Sequence, residues 1–353
     1  MTNYPELLQD LSNLDGISGH EGRVRDRILS ALGDRLPNHH IDSMGNLLAH
    51  WHGTHGDQRP RIMLAAHMDE VGFMVTGYDS DGSLHFASVG GISDQILPGL
   101  RVRVGTNKPI SGVVMWTPIH KNRDLAIKPM SNLRIDIGAT SKGEAQGKAP
   151  LGTPIMFETV FAPLGNLWSG KALDDRAGCS ALAEVLNDAP YDADVLMAFT
   201  VQEEVGLRGA KVAAKILKPD VAFILETTTA QDLPNPHASE GESQPNPTCR
   251  LGEGVALTVM DSGSITPPQL LRFVEHTAQQ HNIPYQYKTS LGGRTDGAII
   301  QSQLGGIPTM TFSIPARYIH TPTALIAPSD YESMVTLVKA VLHTLTHEAI
   351  RPL

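Results

Sequence analysis

The stretch AAHMDEVGFMV, residues 65–75, sets the alanines and valines of a buried strand around His67, Asp69 and Glu70. Side chains of a strand alternate faces, so His67 and Asp69 share one. A carboxylate beside an imidazole is one way to orient the ring for a metal ion. A strand end emerging into solvent would carry polar residues too. The preceding segment RIMLAA, residues 61–66, is apolar and reads as strand by itself, so His67 stands where that strand runs out. What stands at the other strand ends decides between the two readings.

Bulk composition narrows the classes. A chain of 353 residues has room for two domains, or for one large domain with an insertion. The net charge of −9 argues against nucleic acid as a partner, because phosphate binding needs a basic surface. Only Cys179 and Cys249 occur, which excludes a disulfide framework and a thiolate zinc site, and suits a reducing, cytoplasmic setting. The opening MTNYPELLQDLSNLDG lacks the pattern of a signal peptide. No apolar run approaches the ~20 residues that span a bilayer, so no membrane association is expected.

Periodicity separates two textures. Residues 4–11 and 21–36 read as helices, the second with Val24, Ile28, Leu29 and Leu32 on one face. From about residue 70 to 162, short alternating segments (GFMVTGY, SLHFASVGG, LRVRVG, SGVVMW, LRIDIG, TPIMFETVF) are punctuated by turn residues. That spacing predicts a small β-barrel or sandwich. Afterwards helix and strand alternate: helix 175–187, strand ADVLMAFTVQEE, helix 207–217, strand PDVAFILETT, a Pro-rich loop over 232–247, strand VALTVMD, helix 267–281, strand GIPTMTFSIP and a closing helix over 330–347. The expected fold is α/β: a mixed sheet flanked by helices, formed by residues 1–69 and 163–353, with a β-rich insert over 70–162.

Ligands of α/β sheets gather at the carboxyl ends of the strands. After RIMLAA come His67 and Asp69. KALDDRAG brings Asp174 and Asp175 to the start of a helix. Glu203 and Glu204 follow VLMAFTVQ, Glu226 follows VAFIL, and His320 follows MTFSIPARY. Adjacent acids repel unless a cation or a shared proton compensates. Two imidazoles among several carboxylates fit a pair of divalent ions about 3.5–4 Å apart joined by a bridging carboxylate. Nitrogen and oxygen donors suit zinc, with cobalt or manganese also possible. Cys179 and Met63, Met68 and Met74 read as core residues.

HMDEVGFMV, GKALDDRAGC, QEEVGLRGA and RYIHTP resemble the signature segments of the tetrahedral aminopeptidases, relatives of glutamyl and leucyl aminopeptidases, some of which carry an older endoglucanase label. DGISGHEGRVRD, LRIDIGA and GGRTDGAII are similar to further family segments, so the resemblance covers nearly the whole chain. It implies a zinc-peptidase-like catalytic domain acting on short peptides with a free N-terminus. His67 then corresponds to a ligand of the first metal and Asp69 to the residue that orients it. Asp174 corresponds to the bridging carboxylate, with a cis peptide to Asp175. Glu204 and His320 correspond to ligands of the second metal and Glu203 to the general base. Glu226 takes the remaining ligand position, where many members carry Asp. The resemblance also implies a homo-oligomer built from dimers, a dodecamer, with the insert as assembly domain.

Two other chemistries compete. A deacylase or carboxypeptidase could use the same metal ligands. A metal-independent glycoside hydrolase would need only paired carboxylates, but it leaves His67 and His320 without a role, and 5% aromatic residues is thin for a sugar cleft. A chain that keeps the fold without catalysis would have little reason for so complete a donor set. The preferred N-terminal residue depends on loops that periodicity does not place.

Overall fold

The computed structural model describes residues 5–36, 38–55, 59–118, 120–121, 126–233 and 248–351. Most of the Pro-rich loop expected over 232–247 lies outside them, as does the start of the first helix.

Helices α1 (Glu6–Asn13) and α2 (Gly22–Leu32) lead into β1 (His40–Ile41), β2 (Leu47–Trp51) and β3 (Ile62–His67). The expected helix over 21–36 is shorter, because Gly33 adopts φ 49° and a 3-10 turn follows. Strands β4 (Gly72–Tyr78), β5 (Leu84–Val89), β6 (Arg101–Val104), β7 (Ile110–Val114), β8 (Ile135–Asp136) and β9 (Pro154–Phe157) close into a barrel in the order β4-β5-β8-β7-β6-β9. The expected barrel or sandwich is thus a closed six-stranded barrel. Its core, including Phe73, Phe86, Val102, Ile135 and Phe157, is separate from the cores of the main sheet. Between β8 and β9 lies α3 (Lys142–Lys148), which the alternating pattern did not reveal. A local signal existed. Ser141 accepts from the Glu144 N–H at 3.3 Å, and Glu144 accepts from the Thr140 N–H at 2.8 Å, a variant of the capping box.

The remaining elements are β10 (Ala162–Leu164), β11 (Leu167–Gly170), α4 (Leu173–Val185), β12 (Val195–Thr200), α5 (Arg208–Leu217), β13 (Val221–Thr229), β14 (Val255–Thr258), α6 (Pro268–Gln280), β15 (Tyr285–Lys288), α7 (Asp296–Ile300), β16 (Thr309–Arg317), β17 (Ala324–Ile326) and α8 (Pro328–Thr344). They complete an 11-stranded mixed sheet whose centre, β12-β3-β13-β16, is parallel. A parallel strand is covered on both faces and so reads as a continuous apolar run. In β3, Ile62, Leu64 and Ala66 enter the core under α1, α2, α4 and α8, while Met63 and Ala65 face the core under α5 and α7. No helix among the described residues is long and apolar enough to cross a membrane.

A buried ionic network fastens the N-terminal segment to this frame. The Lys171 ammonium donates to both Glu70 oxygens, at 2.7 and 2.8 Å, and to the Leu14 carbonyl at 2.8 Å. Arg176 donates to the carbonyls of Met68, Leu11 and Gly16 at 2.8, 2.6 and 3.1 Å. Lys171, Arg176 and Glu70 are all essentially inaccessible to solvent. Removing one member of such a set strands its partner's charge. Lys171→Met should therefore lower unfolding free energy by about 3–5 kcal/mol, seen as a fall in the urea midpoint, and Lys171→Met/Glu70→Gln should recover part of it. A single variant as stable as the parent would show that Glu70 does not depend on Lys171.

Candidate metal centre

Parallel register brings the predicted residues together. Thr200 of β12 is aligned with His67 of β3, so the chain leaving β12 carries Glu203 and Glu204 past the end of β3. Glu226 is not at a strand end as expected. It lies within β13, which continues through Thr227–Thr229 because these β-branched residues keep pairing with β16 as far as Ala316. His320 follows β16, at φ 59°. Asp174 sits at the entry to α4, joined to Asp175 by a cis peptide; both have non-helical backbone angles, so the regular helix starts after them.

The donor atoms form two triads sharing Asp174: His67, Asp174 and Glu226, and Asp174, Glu204 and His320, each with its atoms within 4.8 Å of one another. The imidazoles are held alike. Nδ1 of His67 lies 3.0 Å from the Asp69 carbonyl, and Nδ1 of His320 lies 2.8 Å from the Gly91 carbonyl. A carbonyl only accepts, so Nδ1 of each ring carries the hydrogen and Nε2 of the neutral ring is an acceptor. Yet Nε2 of His67 is 3.0 Å from Asp174 Oδ1, and Nε2 of His320 is 3.2 Å from Asp174 Oδ2. Acceptors facing each other at these distances require a proton or a cation between them. Tetrahedral zinc, with bonds of ~2.0–2.1 Å, separates two of its donors by about 3.4 Å. The donor set therefore fits divalent ions, and the carbonyl-anchored rings are the outer support such ligands need.

Electrostatics agree with the geometry. Burial pushes the Glu204 carboxyl up to about 8, assisted by the charge of Asp174. Burial also raises Glu226 to about 7. The Glu203 carboxyl is held well above its ordinary range by burial, then by the charges of Asp296, Glu226 and Glu204. Asp174 moves the other way: burial opposes its charge, but His320 and His67 hold it far below the usual carboxylate range. Burial opposes charge on His320 as well, yet Asp174 and Glu204 raise it to about 9.

Asp69 does more than face His67. Its carboxylate stands 3.5 Å from Nδ1 and accepts from the backbone N–H groups of Glu203 and Glu204 at 3.0 and 3.2 Å. Ser18, from the DGISGHEG turn, donates to the same carboxylate at 2.5 Å. Ser18 and Gly91 escaped the sequence reading. Gly91 acts through its backbone, which has no side-chain signature, and Ser18 is an ordinary turn residue until the turn is placed. The neighbouring Gly90 offered a clue: at φ 83°, a Cβ there would meet Val71 at 2.7 Å and Glu204 Cβ at 3.2 Å. The insert thus reaches the centre through a backbone carbonyl although its strands supply no donor. Cys179 is buried, and its thiol donates to the His67 carbonyl at 3.1 Å. Asp232, nearest in sequence to Glu226 as an alternative donor, is engaged by Arg317 at 2.6 and 2.7 Å.

The centre opens into a cavity of about 560 Å³ whose walls include Thr227, Thr228, Gln231, Lys288, Ser290 and Arg294. The chain is similar to known peptidases in both sequence and structure. It belongs to the M42 glutamyl aminopeptidase family, whose pattern it matches over residues 45–337. It is 33% identical to the lysyl aminopeptidase of Pyrococcus furiosus, over 96% of this chain and 97% of that one. In structure it is similar to aminopeptidase APDkam598 from the archaeon Desulfurococcus kamchatkensis, with a TM-score of 0.91 and 34% identity over 98% and 96% of the two chains. It is also similar to the TET1 peptidase of Pyrococcus horikoshii, described as assembling into a tetrahedron or a large octahedral shell, with a TM-score of 0.85 and 33% identity over 96% and 99%.

Proposed function

We infer that this chain is a metal-dependent aminopeptidase with a zinc-peptidase-like catalytic domain, removing N-terminal residues from short peptides. The observation that carries this is the pair of carbonyl-anchored imidazoles facing the two oxygens of one aspartate. His67, Asp174 and Glu226 would hold one divalent ion, and Asp174, Glu204 and His320 the other. Zinc fits the nitrogen and oxygen donors, and cobalt or manganese would serve. Ions so held supply Lewis-acid polarisation of a water and of the scissile carbonyl. Glu203, which burial keeps prone to bind a proton, takes one from the attacking water and delivers it to the leaving amine. Asp69 fixes the position of Glu203 through its backbone N–H. A deacylase or carboxypeptidase on the same ligands would accept peptides with blocked N-termini, and a glycoside hydrolase would ignore chelators. Glu203→Gln should retain bound metal and lose at least a hundredfold in kcat on unblocked peptides. Glu226→Ala should lose one equivalent of metal, while Asp232→Ala should keep both. Cleavage of N-acetylated peptides at the unblocked rate, or activity in Glu203→Gln within tenfold of the parent, overturns the reading.

The cleft also bears on the residue removed. Lys288 is only 8% exposed, lines the cavity, and has no ion-pair partner among the described residues. Arg294 lies on the same wall, amid hydroxyl and amide groups. A buried cation without a partner favours an anionic substrate group, so an N-terminal Glu or Asp side chain is the fitting occupant, in keeping with the description of the matched family. A hydrogen bond to a charged group contributes ~1.5–3 kcal/mol. Lys288→Ala should therefore cut kcat/KM for an N-terminal Glu substrate by roughly 10- to 100-fold and leave an N-terminal Leu substrate within threefold. Equal losses on both, or a parent enzyme that favours Leu, would sink this assignment.

The barrel supports a homo-oligomer, dimer-based and dodecameric, with the barrel as contact domain. Val113, Met115, Trp116 and Ile127 are all exposed on it, and Trp116 is 58% accessible. Met115 and Trp116 line one surface hollow together, and exposed apolar side chains so grouped mark an association surface. Light scattering should report a particle far above the 38.0 kDa of one chain, and Trp116→Lys should shift it to smaller species. A monomer at all concentrations would exclude the assembly. Two buried, unpaired thiols are consistent with a cytoplasmic location.

A further inference from the structure

A second group of metal-ligating side chains lies at the opposite end of the sheet. His50 closes β2 with Trp51, and His52 follows it, so the two imidazoles stand on the same face of one extended segment. Strand β12 pairs antiparallel with β2, matching Val195 with Trp51 and Leu196 with His50. Continuing that register sets Asp194 opposite His52. Leu48 and Leu196 of this face enter the core under α5, and the two histidines with Asp194 extend it beyond the helix.

The three side chains converge. His50 Nε2 is 2.9 Å from Asp194 Oδ2, and His52 Nδ1 is 4.0 Å from the same oxygen. The ring centroids are 4.1 Å apart, and the candidate donor atoms all lie within 4.8 Å of one another. Asp194 is pinned from behind, because its other oxygen accepts from the Gly53 N–H at 2.8 Å. One carboxylate oxygen thus faces two imidazoles, with its second oxygen anchored by the backbone. That is the arrangement in which outer contacts orient a metal ligand. Two protonated rings this close would repel each other, whereas one divalent ion satisfies both rings and the carboxylate together.

We propose that His50, His52 and Asp194 form a further divalent metal site, specific for borderline ions such as Zn²⁺, Ni²⁺ or Cu²⁺ and separate from the catalytic cleft. Two imidazoles with one carboxylate select these over Mg²⁺ or Ca²⁺, which prefer all-oxygen shells. Six residue steps along the strand lead from Asp194 to Thr200, the partner of His67, so the site lies about 20 Å from the centre. It joins β2 to β12 where the chain turns away, and bound metal would staple that corner. The side chain of His52 is 73% exposed, which gives an ion direct access from solvent.

The test uses untagged, full-length protein stripped by chelator and dialysed against Zn²⁺. The parent should bind one equivalent more than His50→Ala/His52→Ala, whatever number the cleft holds. His52→Ala, which removes only an exposed ring, should bind that equivalent at least tenfold more weakly. Both variants should keep parental peptidase activity at saturating metal. Ca²⁺ should not compete for the extra equivalent, whereas Ni²⁺ should. Equal Zn²⁺ stoichiometry and affinity in the parent and His52→Ala would overturn the proposal, even if the double variant failed to fold.

Discussion

The centre is organised by one carboxylate placed between two imidazoles that cannot turn away from it. Asp174 offers one oxygen to His67 and the other to His320, and each ring is fixed from behind by a backbone carbonyl. Neither ring can relieve the contact by rotation without losing its carbonyl. The rest of the fold answers the demands of this pair. Parallel register puts His67 level with the exit of β12, so Glu204 arrives beside His320. The Asp69 carboxylate then holds the turn that carries Glu203 and Glu204 by two N–H groups. Three separate stretches of chain meet at this one side chain: the connection from β3 to β4, the segment after β12 and, through the Ser18 hydroxyl, the turn between α1 and α2.

Charge is distributed unevenly for a reason. Asp174 is favoured as an anion because both imidazoles face it, whereas Glu203, Glu204 and Glu226 are buried among acids and resist ionisation. Two added divalent charges would reverse the second condition, letting Glu204 and Glu226 ionise as ligands. Glu203 belongs to neither triad, in keeping with the proton-transfer role proposed for it. Sites of this kind are costly to fold. The charged groups nearby avoid that cost by being paired, Lys171 with Glu70, and Arg176 saturated with carbonyl partners. Both bind the segment at Leu11 to Gly16 against the catalytic edge.

Much of this was legible in the chain. Two-sided burial of β3 shows directly as the unbroken run RIMLAA, and the switch to alternating segments after Glu70 marks the barrel strands. The residues at the centre stood out because acids and histidines seldom follow apolar runs in such company. What stayed hidden shares a cause. Gly91 acts through a carbonyl, Ser18 through a hydroxyl common to any turn, and Lys288 through its place on β15, a strand of YQYK whose cleft neighbours come from distant loops. Reading PDVAFILETT as one strand agrees with β13, and only the placing of Glu226 at its end failed, because a carboxylate after VAFIL looks like a terminus. Short strands such as β10 and β11 lack the length to show a period.

The contact between Gly91 and His320 ties two parts of the molecule that share no core. Phe73, Phe86 and Phe157 pack within the barrel, apart from the cores of the sheet, yet a backbone oxygen from the barrel's chain sets the tautomer of an imidazole at the centre. Whatever tilts the barrel by a few tenths of an ångström alters the direction of that lone pair. Any partner whose grip on the barrel differs between ion-loaded and ion-free protein must change ion affinity by the same factor in return, since the two equilibria form one thermodynamic cycle. The seam at Gly90 and Gly91 is therefore where the barrel bears on the centre: a side chain at position 90 would press on Val71 and Glu204 while every donor atom of the centre remains in the sequence.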